Sequence, residues 1–461
     1  MENRNLVNLN INPCKMCMPM GAALAFKGIE KCILMLHGSQ GCSTYMRRHI
    51  ATHFNEPMDI ASSSLTEKGT VYGGEENLKN GLKNVIQLYQ PQVVGIATTC
   101  LAGTIGEDIT RLTKEFVASE SKQEQKIAEI DFIPVPTPGY EASHFSGYYL
   151  TLRKIIEHIT EESKPTGKIN IIVGNITPAD VRKLKDILVL FDLEYTLLPD
   201  ISDTLDAPYK NDYDKLPEGG TTIDEIKKMS GAEATIELGE LVDAAISPGK
   251  LLEEKFGVPF YSLSLPIGLE NTDKFINLLT ELSGVEPDSS LKAARGRMLD
   301  GMIDSHKYNS RGKAAIFGAP EMVYATTKLC LENGITPALI ATGTENKKLK
   351  ELLLAEKDFD KEKSLIIDDS DFEKIREYVN RFEVNILIGH SDGKFITEKD
   401  GIPLVRVGFP VHDRVGAQRK VFVGYTGSMS FIDRITNALL EQKYSSYRSD
   451  MFEKYFPGKE N

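Results

Sequence analysis

Short apolar runs rich in β-branched residues alternate with longer amphipathic stretches along nearly the whole chain, and this alternation constrains the fold most. Apolar runs that end in Gly, Pro or Ser are typical of buried parallel strands, and the stretches between them are typical of connecting helices. The pattern predicts an α/β protein of doubly wound βα units. The segments predicted as strands are 32–38, 93–100, 131–138, 169–175, 194–200, 234–239, 258–266, 313–320, 337–343, 364–370, 385–391 and 403–410.

The length of the chain predicts more than one domain. It has 461 residues, and a domain has about 150 residues on average. The polar stretch Glu161 to Lys168 is a predicted junction, and a long helical stretch from about Ser289 to His306 leads into the last set of strands. We therefore predict three α/β domains over residues 1–165, 166–288 and 289–461, each with a parallel sheet.

The charge balance disfavours nucleic acid and membranes as partners. The chain has 66 acidic and 54 basic side chains and a net charge of -12, which repels phosphate groups and anionic lipids. It has no apolar run of the roughly 18 to 20 residues that a membrane helix needs, and its first residues lack the apolar region of a signal peptide. We therefore expect a cytoplasmic protein. No complete glycine-rich phosphate-binding motif is present, so no nucleotide site is predicted.

Five of the six cysteines fall within the first 100 residues, which suggests metal binding, catalysis or burial rather than disulfides. Cys17, Cys42 and Cys100 end or follow predicted strands beside turn-forming residues. Loops at the carboxyl ends of parallel strands converge, and thiolates favour iron in iron-sulfur clusters. Their spacing leaves two possibilities open: a shared metal cluster, or three unrelated buried thiols.

The other cysteines have simpler explanations. Cys14 and Cys17 form a C-x-x-C pair, which can be half of a zinc site or a redox motif, but no second pair or suitably spaced histidines follow. Cys32 lies in an apolar strand and Cys330 in a helix-like stretch. Both are predicted to be buried structural thiols.

Long motifs in this sequence resemble a known family. The run from Asn12 to Pro57, which contains NPCKMC and HGSQGC, and ATTCLAGTIGEDI (residues 97–109) resemble the β-type subunits of nitrogenase component 1. VPTPGYEASH (135–144) and VRVGFPVHDR (405–414) extend the resemblance to most of the chain. It implies three Rossmann-like domains, and it implies that Cys17, Cys42 and Cys100 ligate a cluster at a subunit interface.

Finer features resemble the NifN-like branch of this family, the β subunit of the scaffold on which the iron-molybdenum cofactor precursor is matured. These features are PDISDTLDAP (199–208), AEATIELG (232–239) and the HDR-x-G-x-QR pattern of residues 412–419. Gly139 stands where catalytic β subunits have a serine near the cluster. The favoured function is thus that of an assembly scaffold rather than an enzyme, with no catalytic residue. The alternative is the β subunit of a catalytic nitrogenase or nitrogenase-like reductase, which the retention of all three cysteines favours.

The resemblance also implies cofactors and partners. The expected cofactor is a 4Fe-4S-type cluster at the subunit interface, or an eight-iron P-cluster if the protein is catalytic. An iron-molybdenum cofactor precursor would be held mainly by the partner. The expected partners are a NifE-like α subunit in an α2β2 heterotetramer, the nitrogenase iron protein as electron donor, and a NifB-type precursor donor. Cys42 is the leading candidate ligand, and Cys17 and Cys100 are the other two candidates.

Overall fold

The computed structural model describes residues 12–122, 125–212, 214–445 and 447–456. In this part of the chain, the strands form three separate sheets, and every strand pairing within them is parallel. This confirms the predicted α/β class with parallel sheets. No helix in these ranges is long and apolar enough to cross a membrane.

The first sheet has the strand order β2-β1-β3-β4. Its central strands β1 and β3 are almost entirely buried and pair in register from Cys32 opposite Val93 to His37 opposite Thr98, so both strands end at the same level. The strands are β1 (Cys32–His37), β2 (Ile60–Ser62), β3 (Val93–Thr98) and β4 (Asp131–Val135). The helices are α1 (Met18–Lys27), α2 (Gln40–Phe54), α3 (Glu67–Tyr72), α4 (Glu75–Tyr89), α5 (Cys100–Thr104), α6 (Ile109–Glu120) and α7 (His144–Ile159).

The second sheet has the order β6-β5-β7-β8. Its strands are β5 (Ile169–Ile172), β6 (Tyr195–Leu198), β7 (Ala234–Leu238) and β8 (Phe260–Leu263). Its helices are α8 (Pro178–Val189), α9 (Ile223–Lys227), α10 (Pro248–Phe256) and α11 (Leu269–Ser283).

The third sheet has the order β11-β10-β9-β12-β13. Its strands are β9 (Lys313–Gly318), β10 (Thr336–Thr342), β11 (Leu365–Ile367), β12 (Ile386–Gly389) and β13 (Leu404–Arg406). Its helices are α12 (Ser289–Asn309), α13 (Pro320–Glu332), α14 (Lys347–Ala355), α15 (Phe372–Arg381), α16 (Lys394–Asp400), α17 (Gly424–Ser445) and α18 (Tyr447–Tyr455).

Each predicted strand segment overlaps an observed strand, and β10 begins one residue before its predicted segment. The observed strands end earlier than predicted, because residues such as Gly38, Pro138 and Ser370 already lie in loops. The prediction missed β2, a three-residue strand with the sequence IAS that is too short to show a hydrophobic pattern. Each predicted domain range contains one sheet, and the domain boundaries themselves stay a prediction. Residues 1–11 and 457–461 of those ranges lie outside the described residues.

Helices α1 and α7 cross at a pair of glycines that allow their backbones to approach closely. A Cβ atom on Gly21 would lie 2.0 Å from the carbonyl oxygen of His144, and a Cβ on Gly147 would lie 2.0 Å from that of Met18. Neither carbonyl can move without moving its helix. This contact fixes α1, which begins directly after Cys17, against the start of α7.

Substitution Gly21→Ala is expected to destabilise the protein, because the added methyl group forces α1 and α7 apart. Overpacking of this kind costs about 1–3 kcal/mol of unfolding free energy. Gly296→Ala is the matched control, since Gly296 also lies inside a helix but a Cβ there would have no atom within 4 Å. The control should gain about 0.5–1 kcal/mol from helix propensity. Urea unfolding measures both, and equal stability of the two variants would contradict the close crossing.

The region around the first sheet meets the loop after β13 at His53, a buried residue of α2. Its Nδ1 accepts a hydrogen bond of 2.8 Å from the backbone N–H of Val411, and its ring packs edge-on against Phe409. Burial lowers the pKa of His53 to about 3, whereas an unfolded histidine has a pKa of about 6.5. The folded protein therefore holds this histidine neutral where the unfolded chain takes up a proton.

This difference predicts acid sensitivity. The contribution of neutral His53 to the free energy of unfolding is fully present above pH 6.5. It is lost as the pH falls from there towards the folded pKa, by up to about 1.4 kcal/mol per pH unit. Between pH 7 and pH 5, the variant His53→Gln should lose about 2 kcal/mol less unfolding free energy than the parent protein. His306→Gln, at an exposed histidine of α12, is the control and should lose as much as the parent. Equal losses in all three proteins would refute the assignment to His53.

Candidate metal centre

Cys17 is the N-cap residue of α1, and Pro19 in the first turn favours the start of the helix there. Cys17 also forms an isolated antiparallel bridge with Ser143. The backbone N–H of His144 donates a 2.9 Å hydrogen bond to the carbonyl of Met16. These contacts hold Cys17 against the loop that follows β4.

Cys42 lies in the first turn of α2, at the end of the loop that follows β1. This loop packs tightly against the loop after β3, since a Cβ on Gly38 would lie only 1.8 Å from Thr99 Oγ1. The backbone N–H of Thr99 donates a 3.0 Å hydrogen bond to the carbonyl of His37. Glycine at position 38 is therefore needed for the loops of Cys42 and Cys100 to meet.

Cys100 is the first residue of α5 and is exposed. Gly139, in the loop after β4, lies between Cys100 and Cys17. A Cβ on Gly139 would be 3.0 Å from Cys100 Sγ and 3.2 Å from Cys17 Cβ. The structure thus brings all three predicted cysteines together at the carboxyl edge of the first sheet.

Burial and the neighbouring thiols affect the ionisation of Cys17 and Cys42. Burial raises the pKa of Cys17 to about 11, the backbone N–H of Met20 lowers it, and the charges of Cys42 and Cys100 raise it further. Burial likewise raises the pKa of Cys42, as does the charge of Cys100, while the neighbouring Thr99 side chain lowers it. The thiolate forms repel one another, so ionising these groups together requires a positive charge among them.

The arrangement does not suit a single metal ion. Within residues 12–122, 125–212, 214–445 and 447–456, no three His, Cys, Asp or Glu side chains converge closely enough to hold one. A polynuclear cluster has a different requirement, because each of its irons takes its own thiolate. Three sulfurs on three neighbouring loops can therefore serve a cluster even though they cannot chelate one ion.

The cysteine group lies at an open edge of the protein. Cys17 and Cys42 are half-buried and Cys100 is exposed. Two tyrosines at this edge, Tyr45 and Tyr140, are 45% and 60% exposed. Exposed aromatic side chains of this kind are enriched in protein–protein interfaces.

His37 supports the loop before Cys42 and has the bonding of a satisfied buried histidine. Its Nδ1 lies 2.9 Å from Ser63 Oγ, and its Nε2 lies 2.8 Å from Glu107 Oε2. Glu107 also accepts a hydrogen bond from the backbone N–H of Gly74. With both ring nitrogens engaged, His37 has a structural role in holding this loop.

The remaining cysteines lie apart from this group. Cys32 is the first residue of β1, at the opposite edge of the sheet, and Cys330 is fully buried in α13. Cys14 is buried and turns away from Cys17, with its Sγ 3.7 Å from Nε2 of His390 in the third domain. The C-x-x-C pair therefore does not act as a unit. No local sequence pattern signals this contact, which joins residues 376 positions apart.

Of the polar residues near the cysteines, Thr99 has a buried hydroxyl with no hydrogen-bond partner among the described residues. Ser39 caps α2 through Gly41, and the Ser43 hydroxyl donates to the carbonyl of Ala61. In the HDR segment, Asp413 pairs mainly with Arg406, at 2.6 Å, rather than with Arg414. His412 pairs with Asp392. These groups support loops.

Comparisons with known proteins agree with this architecture. Residues 17–440 match the family model described as nitrogenase component 1 type oxidoreductase. The chain is 36% identical to the nitrogenase molybdenum-iron protein beta chain of Clostridium pasteurianum, over 94% of both chains. It is 34% identical to the nitrogenase vanadium-iron protein beta chain of Trichormus variabilis, over 93% of this chain and 94% of that one.

A solved structure, described as nitrogenase Cp1 at pH 6.5, superposes with a TM-score of 0.89 at 35% identity and covers 95% of both chains. A second chain, described as nitrogenase Cp1 at pH 5, superposes with a TM-score of 0.72 at 15% identity and shows the shared fold alone. The relatives, the family model and the three-sheet architecture agree along nearly the full length. This chain therefore belongs to the nitrogenase component 1 family and, within it, to the group of β chains.

Proposed function

We propose that this chain is the cluster-bearing β subunit of a nitrogenase-type reductase, and that Cys17, Cys42 and Cys100 bind one side of an iron-sulfur cluster shared with an α-type subunit. The observation that carries this proposal is the convergence of the three thiols at one open edge of the first sheet. A set of three unrelated buried thiols has no reason to meet at one edge, whereas ligands of one cluster must do so.

The residues fit such a cluster chemically. Thiolate sulfur is the protein ligand that iron-sulfur clusters take. The raised pKa values of Cys17 and Cys42 mean that ionised thiolates need nearby positive charge, which iron supplies. When bound, the cluster would accept and pass on electrons. The chain's own part is to hold three sulfurs at fixed positions through the packing of their loops.

The open edge supports a partner subunit. Cys100 is exposed, and an iron-sulfur cluster with unshielded sulfides and thiolates is readily oxidised. A second subunit over this edge would supply the remaining ligands and exclude water and oxygen. We propose an α-type subunit in an α2β2 heterotetramer, with a nitrogenase-type iron protein as electron donor.

Two observations favour a catalytic subunit over a scaffold. The relatives named above are beta chains of molybdenum-iron and vanadium-iron nitrogenases. The chain also supplies three converging thiols, enough to ligate several irons and to bridge to a partner that supplies a similar set. An eight-iron P-cluster would suit this arrangement better than a single 4Fe-4S cluster.

A second candidate is the NifN-like scaffold subunit, and Gly139 favours it. This residue lies between Cys100 and Cys17 and has no side chain, so no hydroxyl reaches the cluster from this position. The HDR-x-G-x-QR pattern of residues 412–419 points the same way. In that role the chain would pair with a NifE-like subunit, which would hold the cofactor precursor received from a NifB-type donor.

The two roles differ in a measurable way. The complex of this chain with its α-type partner, purified without oxygen, should reduce substrate when supplied with iron protein, ATP and reductant. Such turnover supports the reductase. Activation of cofactor-free nitrogenase by transfer from this complex, without turnover of its own, would instead establish the scaffold.

Replacement of each converging cysteine by alanine should reduce the iron content of the anaerobically purified complex and change its EPR spectrum. We expect Cys42→Ala to lose most of the interface iron, because a cluster with a missing anchor is released or rebuilt. Cys330→Ala, which removes a buried thiol far from the group, is the control and should retain the parent's iron. Full iron content in the Cys17, Cys42 and Cys100 variants would rule out their role as ligands.

A further inference from the structure

The segment that precedes Cys17 lies across the third domain, although it belongs to the first. Pro13 forms an antiparallel bridge with Asp371, and the backbone N–H of Cys14 donates a 2.9 Å hydrogen bond to the carbonyl of Ser370. A Cβ on Gly343 would lie 2.3 Å from the carbonyl oxygen of Cys14. We call residues 12–17 the N-terminal segment. Its backbone packs directly on the loops that follow β10 and β11.

The Cys14 side chain enters the crevice at the carboxyl ends of β9 and β12. The strand order reverses between these two strands, and such a crevice is where doubly wound domains usually bind ligands. Here Cys14 Sγ lies 3.7 Å from Nε2 of His390, the residue that follows β12. The crevice is thus filled by a thiol from the same chain.

His390 is held rigidly in a position to accept the thiol. Its ring packs edge-on between Phe317 and Phe372, at centroid distances of 5.6 and 5.4 Å. Its Nδ1 lies 3.3 Å from a carboxylate oxygen of Asp392, and the other oxygen of Asp392 lies 3.2 Å from Nε2 of His412. In the tautomer that carries its proton on Nδ1, the unprotonated Nε2 accepts the hydrogen bond from the Cys14 S–H.

The other end of the N-terminal segment is the candidate ligand. Met16 exchanges hydrogen bonds with His144, and Cys17 pairs with Ser143. Three residues can span at most about 10 Å. A displacement of Cys14 is therefore expected to move Cys17 as well. Burial raises the pKa of Cys14 far above its usual range, which keeps this thiol protonated and unreactive.

We propose that Cys14 is a positioning residue, whose hydrogen bond to His390 anchors the N-terminal segment on the third domain and so fixes the place of Cys17 in the cysteine group. The cluster part of this inference rests on the proposed function. The anchoring itself concerns the protein alone and can be tested without metal.

The first test measures the alkylation of Cys17 in the full chain purified without metal and without its partner subunit, which leaves the cysteine edge open. Iodoacetamide pulses followed by mass spectrometry give the rate at Cys17 relative to that at Cys100 in the same molecule. Loss of a contact that stabilises the packed N-terminal segment by about 1 kcal/mol raises the population with a detached segment about fivefold. We therefore expect Cys14→Ala to raise this ratio about fivefold, Cys14→Ser to restore it largely, and Cys330→Ala to leave it unchanged.

A second variant displaces the N-terminal segment and keeps the thiol. Gly343→Ala places a methyl group against the Cys14 carbonyl and should raise the Cys17 rate as Cys14→Ala does. In the iron-loaded complex, both variants should alter the EPR spectrum and the midpoint potential of the cluster, whereas Cys330→Ala should not.

The outcomes separate the two proposals. A parent complex without iron would overturn the proposed function, while the alkylation ratios would still decide the anchoring. Ratios in Cys14→Ala and Gly343→Ala equal to those in Cys330→Ala would overturn the positioning role. A serine variant as reactive as the alanine variant would overturn the hydrogen bond to His390 as the anchor.

Discussion

The close approach of three backbone loops at the carboxyl edge of the first sheet is the constraint on which the candidate site depends. Strands β1 and β3 pair in register and end together, so the loops that carry Cys42 and Cys100 begin side by side. Gly38 lets these loops touch, and Gly139 leaves room for two of the cysteines to meet beside it. A side chain at Gly38 would force its loop away from Thr99, and a side chain at Gly139 would press on Cys17 and Cys100. The site is therefore a property of backbone packing as much as of the cysteines themselves.

Burial explains why the thiols are suited to metal. In the absence of a cation, the low-dielectric surroundings and the neighbouring thiols disfavour ionisation of Cys17 and Cys42. A bound iron-sulfur cluster would reverse that balance, since the charge of its irons would stabilise the thiolates at once. The open edge leaves one side of the group for a second subunit. Electron transfer and cofactor assembly both need these properties, and the number of converging thiols is the feature of this site that favours a reductase.

Much of the fold could be predicted from the sequence because parallel strands buried on both faces leave an uninterrupted apolar pattern. The same pattern placed Cys42 and Cys100 after strands whose ends converge. Its placement of Cys17 at or after a strand was wrong, because Cys17 precedes β1 and is the N-cap residue of α1. The strands are predicted to extend too far at their carboxyl ends, because residues such as Gly38 and Pro138 already belong to loops. Strand β2 is too short to carry a pattern. The contact of Cys14 with His390 joins two distant parts of the chain, and neither has a local feature that identifies the other.

Iron anomalous diffraction from the anaerobically purified complex directly tests whether three thiols of this chain ligate one interface cluster. We expect anomalous density at the subunit interface, within bonding distance of Cys17, Cys42 and Cys100. An interface without iron, or iron density ligated by none of these sulfurs, would contradict the assignment of these cysteines as cluster ligands.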